Sequence, residues 1–346
     1  MFSSSILSTL ALFLSVSLSA PQAVTNPVGD LRPDNLADLA PHPQIGKNFN
    51  EFWTYLFWLN NGIAVEVNLS RASFGSFKDP VCGAGLSVTN FRNKNYLVDR
   101  EYKSSNFAFD PAQYRLTVHQ RIFSEGRIPE SHRLFFSTVK TGTSYFLDVS
   151  FGDMTQGAVW GDGVFQLRDG QKVGLFFHIP KARVHGRLAI DGDTVAVEGF
   201  GWMDHSWQTH FATKLIDAGY RYVLHSSGRA EGGFFFQRDE TLFGYGLREE
   251  GGKWVLLQPT GMKTLEKTSW AGITLPQAFE IGFTNAAPMR FRWNEKRQAN
   301  SAFQELNSFE RFGAKFYIGG DLFSFCGTGL VNDSLPALFS FTAVKR

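Results

Sequence analysis

The chain reads as an all-β protein made of two tandem antiparallel barrels or sandwiches, and three observations predict it. Short strand-like runs alternate with turns built on Asn-Gly, Asp-Gly or Gly-Gly pairs. Almost no segment sustains the 3.6-residue periodicity of an amphipathic helix. The β pattern runs from about residue 47 to residue 346, which is long for one sandwich and fits two units joined near residue 200. No short sequence repeat of fixed period is present, so a propeller or solenoid is disfavoured.

Taken from the N-terminus, Met1 to Ala20 holds no charge, and an apolar run from Ile6 to Leu18 is broken only by Ser and Thr. This predicts a signal peptide over residues 1–20, cut between Ser19 and Ala23, and therefore a secreted or periplasmic protein. Residues 21–46 carry Pro27, Pro33, Pro41 and Pro43 and predict an extended leader, with at most a turn or two of helix near Asn35 to Leu39. One β domain is expected over 47–200 and a second over 201–346.

The first hairpin is signalled by EFWTYLFWL (Glu51 to Leu59), the turn Asn60-Asn61-Gly62, and the alternating IAVEVNL (Ile63 to Leu69). Asp169-Gly170 separates VFQLR from KVGLFFHI, and Asp191-Gly192 separates HGRLAI from TVAVEGFGW. Glu250-Gly251-Gly252 and Gly319-Gly320-Asp321 repeat the pattern, the latter between KFYI and LFSF. The exception is Gln208 to Asp217, where Phe211 and Leu215 stand at helical spacing.

Composition excludes several functions. Lys and Arg number 34 against 32 Asp and Glu, a net charge of +2, which leaves no basic footprint for nucleic acid. After the signal peptide no segment approaches the ~18 apolar residues of a membrane-spanning helix. Two cysteines cannot make a four-thiolate zinc site. In an exported chain Cys82 and Cys326 could close one disulfide across the fold, or stay as two buried thiols. Asn68-Leu-Ser and Asn332-Asp-Ser are glycosylation sequons if the host is eukaryotic. The 35 phenylalanines point to a large aromatic interior.

The segment GFGWMDHSWQ (Gly199 to Gln208) concentrates the chemistry. Strand alternation places Ala196, Glu198, Phe200, Trp202 and Asp204 on one face if no bulge intervenes, although Gly199 and Gly201 invite one. Glu198 and Asp204 then lie roughly 20 Å apart, too far for a glycosidase pair. His205 and His210 point to opposite faces of a strand and lie about 140° apart on a helix, so this segment predicts no metal. Nucleophile-elbow, zincin, P-loop and dinucleotide motifs are all missing, and no cofactor is expected.

The heptad Gly201-Trp202-Met203-Asp204-His205-Ser206-Trp207 resembles the signature of the carotenoid hydratase (hydroxyneurosporene synthase) and AttH-like lipocalin superfamily, which includes fungal lipocalin-like Diels-Alderases. The opening Glu51-Phe52-Trp53-Thr54-Tyr55 is similar to the Glu-Trp-Trp-Tyr opening of AttH-type chains, with Phe52 in place of Trp, and Gln208 stands where the hydratases carry Gly. The resemblance implies two tandem lipocalin-like β-barrels around an apolar cavity. It also implies a polyene or isoprenoid-type apolar ligand and hydratase or cyclase chemistry of lyase or isomerase type.

On their own terms these residues allow such chemistry. A carboxyl among Trp202, Met203 and Trp207 is desolvated and its pKa rises, which suits a proton donor. Aromatic faces stabilise a carbocation by about 2 kcal/mol. Asp204 and Trp207 are thus the candidate catalytic residues, with Trp202, Trp53, Tyr55 and Tyr222 as ligand-binding candidates around an aromatic-lined cavity. The plainer reading has Asp204 capping backbone N–H groups near Ser206 and Trp207. A noncatalytic carrier of an apolar molecule and a carbohydrate-binding or surface-interaction protein with an exposed tryptophan row are the alternatives. The number of subunits is not written in the sequence.

Overall fold

A computed structural model describes residues 24–346 apart from 43–47, 77, 168, 225–227, 271, 302–314 and 316–317. The signal peptide expected over 1–20 lies outside the described residues. Two antiparallel sheets account for nearly all of the remainder, as expected.

The first sheet is organised around one long hairpin, Lys172–Ile190 and Asp193–Gln208. Its turn is Asp191-Gly192, both at positive φ (53° and 84°), the conformation of the tight hairpin turns that match strand twist. Asn48–Leu59 pairs with Asp193–Gln208, and the sheet continues through Ala64–Phe74, Val81–Phe91 and Lys94–Lys103. On the other side Lys172–Ile190 pairs with Thr143–Gly152, followed by His132–Lys140 and three short strands. The second sheet runs from Lys253–Leu257 through Thr241–Glu250, Glu231–Arg238 and Ala218–Leu224 to Leu335–Lys345, then out to Pro259–Trp270.

Alternation sorts most of the aromatic residues into three interiors, with Phe176 and Trp207 in a small fourth cluster. Trp53, Tyr55 and Phe57 face the core of the first barrel. Tyr220, Tyr222 and Phe235 face the core of the second. Leu56, Phe177 and Trp202 from the first sheet meet Phe234, Tyr245 and Leu338 from the second in a seam between them. The seam is also tied by Tyr245 Oη donating to the Leu175 carbonyl at 3.1 Å and Trp254 Nε1 donating to that of Gln156 at 2.8 Å.

Several expectations change. The change of sheet falls between Gln208 and Ala218 and not at 200/201, because Asp193–Gln208 runs unbroken through the glycine cluster. Gly199 and Gly201 do not break the strand; they make room. A Cβ on Gly199 would lie 2.2 Å from the Trp58 carbonyl oxygen, and one on Gly201 2.6 Å from Val184 Cγ1. The residues that follow form the short helix Ala212–Leu215, where helical spacing was read.

The leader is not merely extended. Val24–Thr25 and Leu31–Pro33 join the first sheet, and Leu36–Leu39 is one helical turn with Asn35 and Asp38 in a reciprocal capping box. Of the KFYI strand, Phe316 and Tyr317 lie outside the described residues, while Lys315 and Ile318 are helical, so Asp321–Val331 pairs with Met289–Ser301 instead.

The cysteines are not joined: Cys82 is packed in the first-barrel core and Cys326 belongs to the seam. Strand alternation aims each thiol into its own layer, so no disulfide ties the two halves. Asn68 is engaged by Thr54 and Glu66, whereas Asn332 sits in an exposed turn. Among the described residues no helix is long and apolar enough to cross a membrane.

Candidate functional site

The strand Asp193–Gln208 carries chemistry on both faces. Its even positions, Trp202 and Asp204, point into the seam between the barrels; on the odd face Met203 points into the first-barrel core, while the rings of His205 and Trp207 pack against His42, and Trp207 packs with Phe176 and Val159. Asp204 and Trp207, three residues apart, are therefore on opposite faces and cannot share one site.

Asp204 is fully buried. Arg221 Nη2 donates to its Oδ1 at 2.9 Å, Arg221 Nε stands 2.9 Å from its Oδ2, and Trp202 Nε1 donates to Oδ2 at 2.8 Å. Arg221 comes from the first strand of the second sheet and also stacks over the Phe234 ring, 4.1 Å from its centroid. Burial pushes the Asp204 carboxyl up, while the Arg221 guanidinium and the Trp202 indole oppose that rise. Its partners are side chains from both barrels, so the expected cap on backbone N–H groups near Ser206 and Trp207 is not what holds it. The aromatic-lined cavity expected at Asp204 is not seen among the described residues. A cleft of about 20 Å³, room for roughly one water, opens between the barrels and is lined by Leu56, Trp58, Phe200, Val223, Leu224 and Leu338 among others. Phe200 shares the face of Trp202 and Asp204, so cleft, indole and carboxylate follow one another along the strand.

The other expected ligand-binding residues are dispersed. Trp53 donates its indole N–H to the Leu39 carbonyl at 3.0 Å and stacks on His205 with centroids 4.5 Å apart. Tyr55 Oη lies 3.0 Å from His132 Nε2 inside the first barrel. Tyr222 Oη donates to buried Glu231 at 3.2 Å inside the second barrel, whose aromatic side chains leave no water-sized space there. These three do not gather around Asp204, because alternation turns them into the barrels and away from the seam.

The odd face holds a cluster that the search for neighbouring histidines missed. Glu51, directly across from Trp207, accepts from the His42 backbone N–H at 2.7 Å and from Arg71, and its Oε1 lies 3.0 Å from His205 Nε2. His178, at a β-bulge between Phe177 and Ile179, has its Nδ1 3.0 Å from Asp34 Oδ2 and its ring stacked 5.8 Å from that of His205. Burial pushes Glu51 up, but its contacts with His205 and His42 and the Arg71 charge outweigh it and hold the carboxyl at about 2. Burial lowers His205 to about 4. Glu51 and His205 lie in the two motifs singled out in the sequence, and the shared face of Glu51, Trp53 and Tyr55 was the available signal. His42 and Arg71 gave none.

No protein-family profile matches the chain, and no curated protein matches it significantly. Solved structures do. An AttH-like protein from Nitrosomonas europaea superposes with a TM-score of 0.63 at 13% identity, covering 92% of this chain and 99% of that one. CghA bound to Sch210972 gives 0.57 at 10% identity over 86% and 89% of the two chains. Kievitone hydratase from Nectria haematococca gives 0.50 at 13% identity over 87% and 89%. The two-barrel, lipocalin-like fold of this chain is thus the fold of the AttH-like and hydratase proteins, the group that its Asp204 heptad resembles.

Proposed function

We propose that this chain takes a polyene or isoprenoid-type apolar small molecule between its two barrels and hydrates or cyclises it at Asp204. The observation that carries this reading is a fully desolvated carboxyl, in contact with an indole, in the seam between the barrels and on the strand face whose Phe200 lines an inter-barrel cleft. A buried ion pair adds little to stability compared with apolar residues of the same volume, so its placement here favours a functional use. In the reaction the fraction of Asp204 that burial keeps protonated against the pull of Arg221 delivers its proton to an alkene carbon, and the cation faces the Trp202 ring. Water, or an internal double bond, adds to that cation, and the proton released returns to Asp204. Arg221 sets the carboxyl's readiness to give up its proton.

The second reading is a noncatalytic carrier. It is favoured by the Asp204 oxygens being held by Arg221 and Trp202. The surface-binding alternative loses its basis, since none of the eight tryptophans is exposed. Native mass spectrometry and solvent extraction of the purified chain are expected to recover an apolar compound, and Asp204→Asn is expected to keep the compound and lose turnover. Recovery of a compound that neither protein converts supports the carrier; no compound and an unchanged Asp204→Asn variant defeat both. The same proposal includes export through residues 1–20, checked by N-terminal sequencing of the mature protein.

A further inference from the structure

The Glu51 cluster is independent of the inter-barrel site, since it lies on the opposite face of the same strand. His42 Nδ1, a Glu51 carboxylate oxygen and a His205 ring nitrogen all lie within 4.8 Å of one another. Two of the separations are 3.4 Å, from His42 Nδ1 to Glu51 Oε1, and 3.0 Å, from His205 Nε2 to the same oxygen. Around a tetrahedral ion with ligand distances near 2.0–2.1 Å, neighbouring donors stand about 3.3 Å apart. The donors already have that spacing.

Proton bookkeeping supplies a second observation. The Asp38 carbonyl, 2.8 Å from His205 Nδ1, can only accept, so the hydrogen of the neutral ring is on Nδ1. Nε2 then turns a lone pair toward Glu51 Oε1 at 3.0 Å, two acceptors in contact with nothing positive between them. A second ring proton or a metal ion relieves that contact.

The surroundings resemble an outer shell. The Nδ1–H to Asp38 carbonyl bond orients His205 as metal-bound histidines are commonly oriented. His178, equally buried, is fixed by Asp34 through Nδ1 and has a partnerless Nε2 within the same ring stack. Arg71 occupies Glu51 Oε2, while Oε1 accepts the His42 backbone N–H at 2.7 Å and keeps a second lone pair for the ion.

We infer that His42, Glu51 and His205 bind a divalent transition-metal ion of zinc's class, which fastens the leader, through His42, to the strands carrying Glu51 and His205. Imidazole with carboxylate is a donor set such ions favour.

The test uses the full chain, stripped with EDTA and titrated with Zn²⁺ by calorimetry and with Co²⁺ by visible absorption. One ion per chain and a tetrahedral cobalt spectrum are expected. His42→Ala, a half-buried leader residue outside every strand, is expected to weaken both by about a hundredfold while keeping the far-ultraviolet dichroism; Glu51→Gln behaves likewise if it folds. His210→Ala is expected to bind as the parent does. Failure of the stripped parent to bind either ion stoichiometrically overturns the inference and leaves a His205 imidazolium paired with Glu51. Undiminished binding by His42→Ala also overturns it.

Discussion

Replacing Arg221 with Met removes one half of the buried pair and keeps most of the volume above Phe234. Asp204 then retains only the Trp202 N–H at 2.8 Å and loses both contacts at 2.9 Å. Breaking a buried pair from one side costs about 3–5 kcal/mol, which for a chain of this size lowers the melting temperature by roughly 4–7 °C. The penalty depends on pH. Burial already raises the Asp204 carboxyl above its ordinary 3.8, and loss of the guanidinium raises it further. A carboxyl whose folded pKa lies above its unfolded one contributes stability below the unfolded value and loses it as pH rises through the folded value. Arg221→Met is therefore expected to lie close to the parent at about pH 4 and to show its full deficit at about pH 8. Urea titrations of both proteins at the two pH values measure this, with Asp204→Leu/Arg221→Met as a control expected within about 2 kcal/mol of the parent. A deficit below about 1 kcal/mol at the higher pH, or one equal at both, would refute the view that Asp204 is an ion held by Arg221.

Two further outcomes are expected. Burial lowers His132 from 6.5 to about 4; a histidine kept neutral in this way contributes its stability above 6.5 and loses it as pH falls toward 4. The loss is about 3 kcal/mol, so the urea midpoint should fall across that window, and His132→Phe should flatten the fall at the expense of the Tyr55 contact. Gly201→Ala should destabilise by about 1–3 kcal/mol through overpacking against Val184 and Phe151; a chain that melts at the parent temperature would contradict in-strand packing as the reason for that glycine.

Much of the fold was legible because hairpins are local. Asn60-Asn61-Gly62 and Asp191-Gly192 announce their turns through backbone conformations that few residues adopt, with Gly62 at φ 78° and Gly192 at φ 84°. The face shared by Trp53, Tyr55 and Phe57 followed from a period of two. Gly199 and Gly201 misled for the same local reason: in sequence a glycine reads as a break, and only the neighbouring Trp58 carbonyl and Val184 side chain reveal that it is a fit. The suggested disulfide failed because sequence separation says nothing about which layer a thiol faces.

The site divided along the same line. By itself the sequence singled out Asp204 and its tryptophans, as well as the two motifs that hold Glu51 and His205, since composition and alternation are properties of a short segment. Only the tertiary structure decided their partners. Arg221 reaches Asp204 from the other sheet, and His42 reaches Glu51 from the leader. The physical reason is burial: a charged group removed from water requires its counter-charge within a few ångströms, and which residue supplies it depends on how the sheets pack. That packing put Trp202 and Asp204 in the seam and His205 and Trp207 on the opposite face against His42, dividing one heptad between two sites.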